Sequence, residues 1–215
     1  MTGLTDLFNF VLALVLAVMM RGYSRRSRVW RWLMISISAS GAAGAFYHVI
    51  RHTEDEKKII WLFVSLAMIA SPVLFFICAM SEANEKYEKP AAIWSSVGGA
   101  AIFAAMTAAH FINDRSLTVF TIGAVVTVLS ALGIFIALYI KRRSSFLLLY
   151  IIGIVIQIPG GIMQATRTLR FTLVFDWDYN SIYHLILSAT AILLFIGVTM
   201  SEKKEKSAEI NANNA

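Results

Sequence analysis

Residues Ser36–His52 read SISASGAAGAFYHVIRH. At helical spacing, Ser36, Ser40, Gly44, His48 and His52 form one row, each four residues after the last, and residues four apart are neighbours on a helix face. The lower part of the row is small, so another helix can approach closely there. The upper part carries two imidazoles. A packed face that ends in two histidines decides the reading of everything around it: this is a helix in a bundle, with chemistry at one end.

Outward from this stretch, the chain is 58% hydrophobic and 15% charged over 215 residues, with a mean hydropathy of +0.70. Soluble domains carry about 25% charged residues. Apolar runs long enough to cross a bilayer, roughly 20 residues, recur throughout. They predict an all-α, polytopic seven-transmembrane-helix bundle over residues 1–200, with spans at about 4–20, 29–50, 59–80, 91–112, 117–140, 146–166 and 181–200. Residues 201–215 are polar and rich in Lys, Glu, Ala and Asn, and predict a disordered tail. The first span has no basic segment before it and no small-residue cleavage site, so it reads as a retained helix. The single cysteine, Cys78, lies in an apolar run and excludes an intrachain disulfide.

Of the 19 lysines and arginines, 13 fall in the loops at Arg21–Arg31, Ser81–Pro90 and Lys141–Arg143 and in the tail, which share one side of a seven-span protein. The positive-inside rule places the N-terminus outside and the C-terminus in the cytoplasm of a plasma (inner) membrane. The net charge of +6 is thus an orientation signal, with no nucleic-acid partner implied. Membrane lipids are the expected surroundings. The oligomeric state is not legible in the pattern.

With this topology His48, His52, His110 and His184 lie at outer helix ends. So do Asp6, Glu54, Asp55, Asp114, Asp176 and Asp178, and Asn9 joins Asp6 on the first helix. The inner carboxylates Glu82, Glu85, Glu88, Glu202, Glu205 and Glu209 stand beside lysines and read as solvated charges. Imidazole with carboxylate suits zinc or another divalent ion, and equally suits acid–base chemistry near neutral pH. His48 and His184 are the deepest, and intramembrane ionisable groups usually face the bundle for a reason. Asn180, His184 and Ser188 form a polar row on the seventh span. Gly153, Gln157, Gly160, Gly161 and Gln164 form a small-and-amide face on the sixth. These amides read as ligand-binding groups or as bonds between helices. Pro159 before Gly160 and Gly161 weakens that helix, giving either a broken helix at a cavity or a kink. Between Arg167 and Tyr179, Phe171, Phe175 and Trp177 alternate with aspartates and read as interfacial anchors.

Seven spans, the histidine of GAFYH in the second and NSIYHLI opening the seventh resemble a superfamily of seven-helix membrane hydrolases. It includes the alkaline ceramidases and the progestin–adipoQ receptor and hemolysin III-like proteins. A bacterial-type branch with a TD start (here Thr5 and Asp6) and an IYHL motif is the most similar. In the catalytic members a serine precedes the second-helix histidine by four, the third helix carries an aspartate, and the seventh has two histidines four apart. The three histidines hold zinc. Here His48 and His184 match, Gly44 stands for the serine and Asn180 for the other histidine, and the third span has no aspartate. The resemblance implies a metal-dependent hydrolase of a lipid amide or ester. Its zinc would sit on His48 and His184 with a further ligand from His110, His52 or Asp6, and Asp6 or Asp55 would serve as base or orienting group. The alternative is a non-catalytic seven-helix lipid-binding or sensor protein, in which His48, His184, Gln157, Gln164, Asn180 and Asn9 are hydrogen-bonding groups. The seventh span has no lysine for a retinal Schiff base. No carboxylate near the middle of a span suggests an ion pump.

Overall fold

The computed structural model describes residues 2–50, 53–113, 116–167, 170–172 and 176–213. It is all-α apart from one hairpin. The elements are α1 (Thr2–Met19), α2 (Arg25–Val49), α3 (Glu54–Ala83), a 3₁₀ turn (Glu85–Tyr87), α4 (Glu88–Asn113), α5 (Ser116–Arg142), α6 (Ser145–Thr166), β1 (Arg170–Thr172), β2 (Asp176–Asp178) and α7 (Tyr179–Asn213). The main contacts run α1–α2–α3–α5–α6–α7 and back to α1, with α4 laid against α3 and α5. Short connections make consecutive helices antiparallel. One end of the bundle therefore gathers the starts of α1, α3 and α7 with the finish of α2. The other, the basic end, gathers the Arg21–Arg31 segment, Lys86, Lys89, Lys141–Arg143 and the far part of α7.

The distribution of polarity is compatible with hydrocarbon surroundings. On α1 the buried stripe is Thr5, Asp6, Asn9, Ala13, Leu16 and Ala17, whereas Leu4, Leu7, Phe8, Val11, Leu14, Val15 and Val18 face outward. A soluble helix does the reverse. Six helices are long and apolar enough to cross a membrane, and α2 is not among them. It has 25 residues, about 37 Å at 1.5 Å per residue, so it has the length of the expected second span. Its composition differs because Arg25, Arg26, Arg28 and Arg31 fill its first turns. Its buried positions Trp30, Leu33, Met34 and Ile37 face protein, and a helix packed on several sides needs no uniformly lipophilic surface.

The core is densest toward the basic end. Trp30 stacks on Phe135 at 6.1 Å, meets Phe75 edge-on at 6.0 Å, and lies 4.6 Å from the Tyr150 ring. This joins α2, α3, α5 and α6. Two carboxylates expected to be solvated are buried beside this core. Glu82 is 2% exposed and Glu202 4% exposed. The Trp30 indole N–H donates to Glu82 Oε1 at 3.1 Å. Glu202 accepts from the Ser24 backbone N–H at 2.9 Å and from the hydroxyls of Ser24 and Ser27, so a carboxylate of α7 caps the start of α2. That cap ties down the residues after Met200. In place of the expected disordered tail from Ser201, α7 continues to Asn213, through a Lys-, Glu- and Ala-rich stretch of high helix propensity.

Other boundaries follow local chemistry. Thr53 and Glu56 form a reciprocal capping box at the start of α3. α6 runs unbroken through Pro159 and closes on Arg167 with a left-handed φ of 54°, so of the two forms expected at Pro159 the broken helix is not the one found. Gly160 lets the Ile186 side chain of α7 pack against it, with a would-be Cβ 3.2 Å away. The α6–α7 connection contains an antiparallel hairpin pairing Arg170 with Asp178, Phe171 with Trp177 and Thr172 with Asp176. Phe175, His52 and Asp114 lie outside the described residues.

Candidate functional site

Two glycines of α2 bring α1 close. A Cβ at Gly41 would stand 2.7 Å from the Phe10 backbone nitrogen and 2.9 Å from the Asp6 carbonyl oxygen. A Cβ at Gly44 would stand 2.8 Å from Asp6 Oδ1. The small half of the Ser36–His52 row is therefore the seat of α1, and Gly44 supplies the room for the Asp6 carboxylate.

α7 closes the other side of α1 through three polar rungs at successive turns. In the first, Thr2 Oγ1 donates to Asp178 at 2.9 Å and lies 3.2 Å from Ser181 Oγ. In the second, His184 Nε2 lies 2.8 Å from Asp6 Oδ1. In the third, Ser188 Oγ donates to Asn9 Oδ1 at 3.1 Å. The first rung is reinforced because Asp178 caps α7, accepting the Ser181 backbone N–H at 2.8 Å and its hydroxyl at 2.6 Å. Partial burial raises the Asp178 carboxyl, but the donors from Ser181 and Thr2 outweigh it and hold the group below its ordinary range.

At the middle rung α2 adds His48, whose Nε2 is 4.0 Å from Asp6 Oδ2. Three elements thus converge two imidazoles on one carboxylate, each through Nε2. Asp6 is 1% exposed, whereas the side chains of His184 and His48 are 14% and 35% exposed. Neither Asp6 oxygen receives a hydrogen bond of regular geometry from the described residues. A buried carboxylate in that position needs a cation or a proton beside it. In kind, two imidazole nitrogens and a carboxylate oxygen are donors that a divalent ion takes. In spacing, Asp6 meets His184 directly, and His48 stands one step back. Among the described residues, no group of three or more His, Cys, Asp or Glu is gathered as a metal cage.

The other residues singled out from the sequence fall elsewhere. Asp55 is on the exposed first turn of α3 and pairs with Lys58 at 3.3 Å. Its charge there complements the helix dipole. His110 packs against Trp61 at 6.1 Å and Phe111 at 5.6 Å between ring centroids. The Trp61 ring in turn lies 5.7 Å from Tyr47, the neighbour of His48. The amides bond neighbouring helices. Gln164 donates to Asn180 at 3.1 Å, Gln157 accepts from Thr190 at 2.9 Å and bonds Tyr183, and Asn9 holds Ser188. Sequence reasoning missed the Thr2–Asp178–Ser181 clamp. The run DYNS, an acidic N-cap three residues before a serine, was the available signal.

Nothing among curated proteins matches the chain. Over residues 1–203 it matches a family of unknown function (DUF6962), and it belongs to that family.

Proposed function

We propose that this is a multi-pass membrane protein, N-terminus outside and C-terminus cytoplasmic in the inner membrane, whose Asp6–His48–His184 cluster hydrolyses a lipid amide or ester. The convergence of two imidazole Nε2 atoms on a buried carboxylate carries the reading. Kinship with the seven-helix hydrolases of the ceramidase and progestin–adipoQ receptor type is part of the same proposal. The segregation of basic residues to the opposite end supports the orientation.

In this reading Asp6, walled in by Gly44, orients His184 and balances positive charge on it. His48, the most open of the three, is the second imidazole donor on the same carboxylate. The rungs above and below hold α1 and α7 in register, so the carboxylate and the imidazole meet without further ordering. Zinc or a similar ion, held by His48, His184 and Asp6, would supply Lewis acidity toward the substrate carbonyl.

Elemental analysis of the detergent-purified protein, prepared without chelators, tests this beside His48→Ala and His184→Ala. Near-stoichiometric zinc, lost in both variants, is the expected result and leads to hydrolysis assays on lipid amides and esters. A metal-free native protein sinks the metal-dependent reading. A second reading, non-catalytic lipid binding or sensing, is favoured by the spacing of the cluster: His48 Nε2 stands 4.0 Å from Asp6, and no metal cage of three or more such groups is gathered among the described residues. A co-purifying lipid without metal is its signature.

A further inference from the structure

At the basic end, Arg28, Val29 and Trp32 share one face of the first turns of α2, and Glu88 opens α4 across from them. Together they line a groove of about 440 Å³. It lies outside the Asp6 cluster and has no part in the proposed chemistry. Trp32 is 56% exposed and Tyr87, next to Glu88, is 41% exposed, with the Lys86 ammonium 5.0 Å from the Tyr87 ring centre. Exposed indole and phenol beside cations, where apolar helices end, mark the depth of lipid headgroups. The groove thus presents to that layer a guanidinium on one wall, a carboxylate on the other, and an apolar floor of Val29 and Trp32.

Each part selects. A guanidinium fork matches two oxygens of a phosphodiester. A carboxylate has about four acceptor sites, so Glu88 can take an ammonium N–H in addition to the contacts it already makes. It also repels a headgroup of net negative charge, which a purely basic groove would welcome. The apolar floor suits the glycerol backbone and the first methylenes of the chains. We propose that this groove binds a membrane phospholipid whose headgroup carries a phosphodiester and a primary ammonium, the phosphate on Arg28 and the ammonium against Glu88. The proposal rests on the membrane reading and is independent of the hydrolase reading.

The test uses the full chain, extracted in detergent and delipidated. Phosphatidylethanolamine, phosphatidylglycerol and phosphatidylcholine of identical chains are titrated in turn, with bound lipid counted by native mass spectrometry. Phosphatidylethanolamine is expected to bind about tenfold more tightly than the other two, the ratio that one charge-assisted hydrogen bond supports. Arg28→Gln removes binding of all three, and Arg28→Lys, which keeps the charge and the fold, weakens it. Glu88→Gln abolishes the preference over phosphatidylglycerol. Equal binding of the three lipids, or unchanged binding in both Arg28 variants, overturns the proposal. So does equal binding of chainless glycerophosphoethanolamine, which would make the ligand a soluble one. A chain recovered in the soluble fraction would instead refute the membrane reading itself, before any lipid is added.

Discussion

Gly41→Ala is the sharpest probe of the packing that builds the site. The added Cβ would lie 2.7 Å from Phe10 N, 2.9 Å from Asp6 O and 3.1 Å from Phe10 Cα. All three are backbone atoms of α1, so no side chain can turn aside and the helix itself must move. Overpacking of this kind costs about 1–3 kcal/mol. Alanine returns about 0.5–1 kcal/mol of helix propensity. From the middles of these ranges the net is a loss of about 1.3 kcal/mol, and at about 2–4 °C per kcal/mol for a chain of this size the unfolding midpoint falls by about 3–5 °C. Gly98 is the control, because a Cβ there meets nothing within 4 Å. Gly98→Ala keeps the propensity gain alone, and its midpoint rises by about 1–4 °C. Intrinsic fluorescence of the five tryptophans follows both variants in one detergent at one scan rate. A Gly41→Ala protein that unfolds at or above the parent temperature would show that α1 does not sit on α2 as described, and the placement of Asp6 would fall with it.

Gly44→Ala meets only the Asp6 carboxylate, which can rotate. We expect a midpoint shift smaller than for Gly41→Ala but loss of metal from the purified protein, read by elemental analysis; intact metal would separate Gly44 from the site. Glu202→Ala strips the Ser24 N–H and two hydroxyls of their acceptor. At about 1.5–3 kcal/mol per bond to a charged group, and with bonds sharing one carboxylate not additive, the loss is about 2–4 kcal/mol. Amide exchange should accelerate from Gly22 to Arg28, and unchanged protection there would count against the cap. The Asp178 carboxyl sits below its ordinary value of 3.8 in the folded chain. Its contribution is therefore complete above that value and is lost as pH falls through the lowered one. Exchange at Tyr179–Ser181 should quicken on acidification below about pH 4 and be fast at every pH in Asp178→Ala; a parent protein with no such acid response refutes the clamp.

The parts of the structure legible in the sequence were those written in short-range pattern. Hydropathy marked the apolar stretches of the seven helices, although α7 runs on to Asn213, well past the expected end at 200. Helix order placed Asp6, His48 and His184 at one end, because consecutive helices run antiparallel. Burial of Glu82 and Glu202 was not legible. Glu82 is followed by Glu85 and Lys86 and Glu202 by Lys203, whereas the groups that hold them, the Trp30 indole and the Ser24 and Ser27 hydroxyls, are 52, 178 and 175 residues away. Asp55 shows the converse: it lies on the exposed first turn of α3 and pairs with Lys58 of the same helix.

The departures from the hydrolase motif become intelligible together once Asp6 is in place. The catalytic pattern puts a serine four residues before the second-helix histidine, at the position of Gly44. A Cβ there would come within 2.8–3.1 Å of all three carboxyl atoms of Asp6, so a serine at this position would push the carboxylate out of its present place. Asn180 stands where a further histidine would be, yet it accepts a hydrogen bond from Gln164 of α6 and so serves packing. Under the proposed kinship, two of the three positions that differ are those for a serine hydroxyl and a third imidazole, the other being the third-helix aspartate, and the carboxylate of α1 occupies the first of these places. Under the proposed chemistry the third donor moves from α7 to α1, and α1 becomes part of the site where it would otherwise only flank it. That is why the seating of α1, through Gly41, Gly44 and the rungs to α7, governs the geometry on which the proposed hydrolysis depends.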